Sequence, residues 1–310
     1  MSMPDDDFVL PFEIDRTGLR GRLVRLGPAV DLVLKRHAYP PMISRLLGEA
    51  LALACCLAST LKFDEGVFTF QARGNGGPVR MLVADMTSEG EFRGHVSFDA
   101  DMLKTYGEDS SAASLFGGGH VAFTVDQGPD FERYQGIVEL QGELLSESVH
   151  HYFRQSEQIA TALKVACELD MHGHWRTTAV MIQKLPDEVI LKGAPEEAAE
   201  AVEADEGYRT AAILLGSATP AEMIDKEILA EELLLRLFHE DGVRVYDKRP
   251  AFSGCRCKLD SVENVLRQFG REQVEDFKVD GLVTVKCEFC TKEREFDDAA
   301  LDTLYAEQDE

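Results

Sequence analysis

Apolar positions recur along this chain with two different periods, and the changes of period divide it. Leu19-Arg20-Gly21-Arg22-Leu23-Val24-Arg25-Leu26 alternates as a strand does. Behind Pro40-Pro41 the period lengthens: Ile43, Leu46, Leu47, Ala50, Leu51, Ala54 and Leu57 follow a three-four spacing, which predicts a helix. Leu53, Cys55 and Cys56 fill its other faces, so this helix is expected to be surrounded by protein. From residue 66 to 145 the short period returns. Val67–Ala72 and Val79–Ala84 flank Gly74-Asn75-Gly76-Gly77-Pro78 and predict a hairpin. Phe92–Phe98, His120–Val125 and Tyr134–Leu140 predict further strands. Ser146–Leu163 and Ser156–Cys167 have helical character, with Ser146 or Ser148 as N-cap, and Trp175–Leu185 predicts one more strand.

Beyond this sheet-rich part the pattern thins. Glu196, Glu197, Glu200, Glu203, Asp205 and Glu206 are spaced by alanine, with helix propensity but little to bury. Residues 219–241 predict a single amphipathic helix, opened by Thr219-Pro220 and stopped at Gly242. After residue 250 short helices are expected at Ser261–Phe269 and Asp297–Tyr305, and a strand at Gly281–Lys286. The expected fold is α+β: a core domain over 1–195, an acidic and then amphipathic helical linker over 196–250, and a small C-terminal domain over 251–310. Some sixty residues bury too little to be stable unaided, so that last unit needs a staple.

Composition narrows the partners. The 310 residues carry a formal charge of -24, which repels phosphate backbones and anionic lipid, so neither nucleic acid nor membrane is an expected partner. The most apolar stretch, Leu46–Leu61, is shorter than a membrane span and contains Glu49. Met1–Asp7 is acidic and lacks the form of a secretory signal, which with reduced thiols at metal spacing implies the cytosol.

The candidate chemistry is cysteine chemistry. Cys255-Arg256-Cys257 and Cys287-Glu288-Phe289-Cys290, 29 residues apart, are two tight pairs that can complete a tetrahedron around Zn2+ at about 2.3 Å per thiolate. A closed four-thiolate site leaves no position for water, so by spacing alone it is structural zinc rather than a hydrolytic centre. The same thiolates are what an oxidant attacks, and losing a structural zinc removes roughly 10 kcal/mol or more of folding free energy. Metal loss can therefore act as a signal. Cys167 with His172 and His174 has loose spacing and no fourth ligand, and Cys55 and Cys56 read as buried thiols. The Gly-rich stretches at 74–77 and 117–119 lack the residues of a phosphate loop and read as turns.

Phe252-Ser253-Gly254-Cys255-Arg256-Cys257 and Val285-Lys286-Cys287-Glu288-Phe289-Cys290 closely resemble the zinc domain of the redox-regulated heat-shock holdase family, the 33 kDa chaperonins. Leu46-Leu47-Gly48-Glu49-Ala50, Leu61-Lys62-Phe63-Asp64 and Tyr152-Phe153-Arg154-Gln155-Ser156-Glu157-Gln158 resemble that family's core motifs, so the likeness spans nearly the whole chain. Two positions depart from it: Thr291 stands where the family often has Gly or Asn, and Arg294 where it often has Tyr. The resemblance implies a non-enzymatic, ATP-independent chaperone that binds one Zn2+ when reduced. It implies that Cys255 pairs with Cys257 and Cys287 with Cys290 on oxidation, that zinc then leaves, and that the linker loosens and exposes apolar surface to unfolded client proteins. It also implies a homodimer in the oxidised state. To this we add an expectation of our own, that Ile224, Ile228, Leu229, Leu234 and Leu237 are covered at rest and exposed when active. The competing expectation is a structural zinc module that binds a protein partner constitutively.

Overall fold

The computed structural model describes residues 6–61, 65–128, 131–184 and 205–306. They divide into two compact units, Met1–Ser253 and Gly254–Glu310.

The first unit is built around one helix. β1 (Phe8–Ile14) and β2 (Leu19–Leu26) form a hairpin, and α1 (Pro28–His37) leads into α2 (Pro41–Ala58). β3 (Val67–Gly74), β4 (Val79–Thr87) and β5 (Glu91–Phe98) follow as a meander, then the short α3 (Ala100–Leu103) and α4 (Ala112–Phe116). β6 (Gly119–Asp126), β7 (Tyr134–Glu139), α5 (Leu145–Tyr152), β8 (Ala160–Leu169) and β9 (Trp175–Lys184) complete the core. Later come α6 (Glu206–Ser217), α7 (Pro220–Ile224) and α8 (Ala230–Phe238), with the short strands β10 (Val243–Val245), β11 (Arg249–Pro250) and β12 (Phe252–Ser253). One sheet runs β10-β1-β2-β9-β8, with β11 also on β1. The other runs β12-β5-β4-β3-β6-β7.

α2 touches strands of both sheets. Only Pro41, Met42 and Arg45 of its 18 residues escape burial. By length and composition it could cross a membrane, but its apolar surface is spent on the two sheets, as the apolar residues on all its faces anticipate. Its one carboxylate, Glu49, accepts from the Ser146 amide at 2.9 Å, at the first turn of α5. The two Gly-rich stretches are turns packed on each other, with the Asn75 and Gly77 amides donating to the Phe116 carbonyl.

The first sheet is buried on both faces, and its strands sort their side chains with period two. Val9, Val24, Leu26, Ala179 and Met181 face the α2 core. Phe8, Leu10, Phe12, Ile14, Leu19, Leu23, Val180 and Ile182 form a second core with α6, α7 and α8. Phe12 sits opposite Gly21 in the register, and a Cβ at Gly21 would lie 2.0 Å from its ring. The missing side chain lets that ring lie flat across the sheet, where Phe238 of α8 stacks on it at 6.2 Å.

Three expectations change. Residues 160–169 are a strand paired with β9 along ten positions, not a helix. Their Ala, Leu and Lys are good helix formers, which is why the sequence reads as helix, but pairing with an interior strand overrides propensity. Ser146 and Ser148 lie inside α5, which begins at Leu145, where the Glu147 carboxylate accepts from the amides of Glu143 and Leu144. The single helix over 219–241 is two helices with a break at 225–229. Thr219 does cap the first of them, accepting from the Glu222 amide with Pro220 next.

The second unit holds α9 (Leu259–Arg267), α10 (Arg271–Glu275), the hairpin β13 (Val283–Lys286) with β14 (Glu293–Phe296), and α11 (Asp298–Ala306). Leu266, Val274, Val283, Phe296, Leu301 and Leu304 are its buried core. Six side chains are a small core, which makes cross-links elsewhere in the unit decisive.

Candidate metal centre

Cys287 follows β13 directly and Cys290 lies in the turn to β14. The Cys287 amide donates to the Lys292 carbonyl at 3.0 Å, and the Thr291 amide to the Cys287 carbonyl at 2.8 Å. This folds the Cys-x-x-Cys stretch into a knuckle with both sulfurs on one side. Cys255 and Cys257 lie in irregular chain before α9, where the Lys258 amide donates to the Arg256 carbonyl at 2.9 Å. The Arg294 guanidinium donates to the Cys257 carbonyl at 2.9 Å and ties the two cysteine stretches together.

All four sulfurs lie within 4.8 Å of one another, and all four cysteines are half-buried and free of disulfides. Cys255 and Cys287 sulfurs are 3.7 Å apart, and Cys257 and Cys290 sulfurs 3.3 Å. A tetrahedron of thiolates around a cation at 2.3 Å has edges of about 3.8 Å, so the cluster is the right size to hold a metal ion. The electrostatics agree. Burial, with hydrogen bonds among the thiols, pushes Cys257 up to about 12, and burial also pushes Cys287 up. At Cys290 burial opposes ionisation, but the Lys292 amide and the neighbouring thiols outweigh it and bring the group down to about 7. One thiolate is stabilised by the hydrogen bonds its neighbours donate to it. Four thiolates together require a cation among them.

The other cysteine candidates are not brought to this cluster. Cys55, Cys56 and Cys167 are buried, and desolvation pushes all three thiols up, Cys56 to about 12. Cys167 packs against Gly48, where a Cβ would lie 2.2 Å from its sulfur. His174 bonds Asp31 and Lys35, at 3.0 and 2.9 Å. Among the described residues the four cysteines 255, 257, 287 and 290 are the one His/Cys/Asp/Glu group with metal-binding spacing.

The proposed apolar face lies on the first unit. Leu234 is fully buried, Ile228 and Leu237 are buried, and Ile224 is half-buried against the same core. Leu229 is a correction: it is 49% exposed. It is the extended N-cap of α8, turned off the face by the break before it. Met223, Leu233 and Phe238 are buried in this layer instead.

Sequence reasoning missed the groups that make the break. Thr178 donates its hydroxyl to the Met223 carbonyl at 2.7 Å, Arg176 donates Nε to the Ile224 carbonyl at 2.9 Å, and Arg25 donates Nη1 to the Ile228 carbonyl at 2.6 Å. All three stand on the sheet face beneath the helices, and Arg25 is 2% exposed. Burial lowers its affinity for its proton. Alternation around Leu23 and Val180 could have placed these side chains on that face; nothing in the sequence names the carbonyls they hold. Lys248 pairs with Glu231 of α8 at 2.9 Å while resting on the Phe8 ring. Asp7, whose carboxylate accepts from the Gly27 and Ala29 amides, is raised by burial.

The profile of the Hsp33 protein family matches residues 7–297. The 33 kDa chaperonin of Caulobacter vibrioides is 38% identical over 294 residues, covering 93% of each chain. That of Pseudomonas fluorescens is 34% identical over 306 residues, covering 98% of this chain and 95% of its own. The crystal structure of the 33 kDa chaperonin (heat shock protein 33 homolog) from Thermotoga maritima superposes with a TM-score of 0.78 at 22% identity, covering 98% of this chain and 99% of its own. The described fold, the cysteine cluster and these matches agree: the chain belongs to the Hsp33 family.

Proposed function

We propose that this protein is a redox-regulated, ATP-independent holdase that binds unfolded proteins during oxidative and heat stress. Family membership supports the chaperone role and a non-enzymatic one. The observation that carries the regulation is the meeting of four free sulfurs in a unit with a six-residue core. Cys255, Cys257, Cys287 and Cys290 hold one Zn2+ in the reduced state. The metal offsets two of the four thiolate charges and joins the two stretches that the small core cannot secure.

Oxidation by a peroxide takes the thiolates in pairs. Two thiolates give up two electrons and form one S–S bond. The peroxide O–O bond breaks, and with two protons its oxygens leave as water. Cys287 pairs with Cys290 and Cys255 with Cys257, so two peroxides consume all four donors. Each pairing withdraws two donors from the metal, and the unit at 251–310 loses its staple. The chain before it pairs with β1 through β10 and β11, and upstream of those strands α6, α7 and α8 form the layer over the first sheet. Loosening of this 196–250 segment uncovers two apolar faces. One carries Ile224, Ile228, Leu234 and Leu237. The other is the sheet itself, with Phe8, Leu10, Phe12, Leu23 and Ile182. Clients bind there, and active chains pair through the same surface. The setting is the cytoplasm.

Aggregation of a heat-denatured client, followed by light scattering without ATP, tests this reading. Peroxide-treated protein suppresses it and reduced protein does not. Equal suppression in both states would instead favour a zinc module that binds partners constitutively.

A further inference from the structure

The Tyr152–Gln158 stretch builds a site that neither the metal nor the apolar layer uses. α5 widens into a π-turn over Phe153–Glu157, and Gln158 closes it in the left-handed region at φ 56°, its amide donating to the Phe153 carbonyl. π-turns are rare and concentrate at functional sites. Here the turn brings the Glu157 carboxylate back toward Tyr152. The Tyr134 hydroxyl, from β7, lies 2.6 Å from Glu157 Oε1 and 2.7 Å from the Tyr152 hydroxyl, which also donates to Oε1. Tyr152 lies directly on Gly136, where a Cβ would sit 2.4 Å from its oxygen.

These groups form the polar end of a cavity of about 490 Å³. Its body is apolar: Leu57 from α2, Phe68, Phe123 and Val125 from the second sheet, Phe153 at the start of the π-turn and Ile159 just past it. The Tyr152 ring stands 4.6 Å from that of Phe123 and 5.6 Å from that of Phe153. The volume suits a small organic molecule. Its charge is specified too. The hydrogen bond to Glu157 raises the Tyr134 phenol, and burial followed by the same carboxylate raises Tyr152, so both phenols stay protonated as donors to that carboxylate. Among the described residues no Lys or Arg pairs with Glu157. Aromatic faces and a carboxylate both attract a cation, and both disfavour an anion.

We infer that this cavity binds an organic ammonium ion, its apolar body against Phe68, Phe123 and Phe153 and its charge toward Glu157. The site belongs to the first unit and does not depend on the redox state of the cysteines.

Calorimetric titration of the reduced, full-length protein with benzyltrimethylammonium, phenylacetate and benzyl alcohol tests it. The ammonium probe saturates one site at least tenfold more tightly than the anionic or neutral probe. Glu157→Gln keeps an acceptor for both phenols and weakens the ammonium probe at least tenfold, with an unchanged thermal midpoint. Equal affinity for the three probes, an unaltered affinity in Glu157→Gln, or no binding at millimolar probe overturns the inference. Should Glu157→Gln lower the midpoint, chemical shifts in the unaltered protein decide. Perturbations from the ammonium probe confined to Phe68, Phe123, Tyr152 and Phe153 support the site, and perturbations elsewhere overturn it.

Discussion

Thr291 carries a β-branched side chain where the backbone turns through φ 58°, a region that Gly and Asn tolerate and Thr does not. The knuckle needs that turn, because it returns the Thr291 amide to the Cys287 carbonyl. Its residue is therefore a source of strain beside two of the cysteines. Thr291→Asn is expected to relieve roughly 0.5–1 kcal/mol of it. A zinc chelator should then strip the metal about threefold more slowly than from the unaltered protein. A faster loss would mean that the Thr291 hydroxyl bond to the Cys290 carbonyl matters more than the strain.

Glu49 makes a second prediction at this scale. Burial, opposed by the Ser146 and Leu145 amides, raises it from 4.5 to about 7. The folded state therefore holds a proton that the unfolded chain has released. The stability this gives is complete below pH 4.5 and is lost as pH rises through about 7. Glu49→Gln keeps the acceptor and removes the charge. It should flatten this part of the pH profile and raise stability at pH 8 by about 3 kcal/mol, read from urea melts. Parallel profiles for the two proteins would show that Glu49 does not titrate in this range.

At the scale of elements, the layer of α6, α7 and α8 is held by apolar contact and by three bonds to carbonyls. Those carbonyls explain why residues 219–241 are not one helix. Met223, Ile224 and Ile228 give their oxygens to Thr178, Arg176 and Arg25 rather than to amides one turn on. Hydrophobic periodicity shows a helical face but is blind to such competition, so the sequence shows the layer and hides its break. β8 was hidden for a related reason. Ala160, Ala162 and Ala166 line one core while Leu163, Val165 and Cys167 line the other, so the strand lacks the polar face that makes alternation visible. The β3–β4 hairpin, α2 and the two cysteine pairs were legible because turn residues, an apolar helix and ligand spacing are local signals.

Two substitutions probe the layer. Thr178→Val removes the hydroxyl with little change of shape and leaves the Met223 carbonyl without its donor, at a cost of about 1–2 kcal/mol. Amide exchange over 220–238 should quicken while zinc affinity is unchanged; unaltered exchange would mean the bond does not hold the layer. Leu234→Asp puts a carboxylate among the apolar side chains of the second core, at a desolvation cost. Reduced, zinc-loaded protein with this change should already suppress client aggregation. If it stays as inactive as the unaltered protein, covering Leu234 is not what keeps the protein silent.

Across the whole molecule, stability is unevenly distributed. The core around α2 is enclosed by two six-stranded sheets, and the surface layer adds a second core outside the first sheet. The cysteine unit has six buried apolar side chains and four sulfurs. Under the proposed function, an oxidant that removes four metal donors acts on the part least able to do without them. The chain's charge of -24 repels other copies, and under the proposed switch it is a modest force against pairing through uncovered apolar faces.

The central claim is that donor loss and chaperone activity are one event. It is tested most directly by following zinc release with a chromogenic chelator and client light scattering in the same peroxide-treated sample. The account predicts one zinc released per chain, with suppression of scattering rising along the same time course. Full suppression while zinc is still bound, or complete zinc release with no suppression, would contradict it.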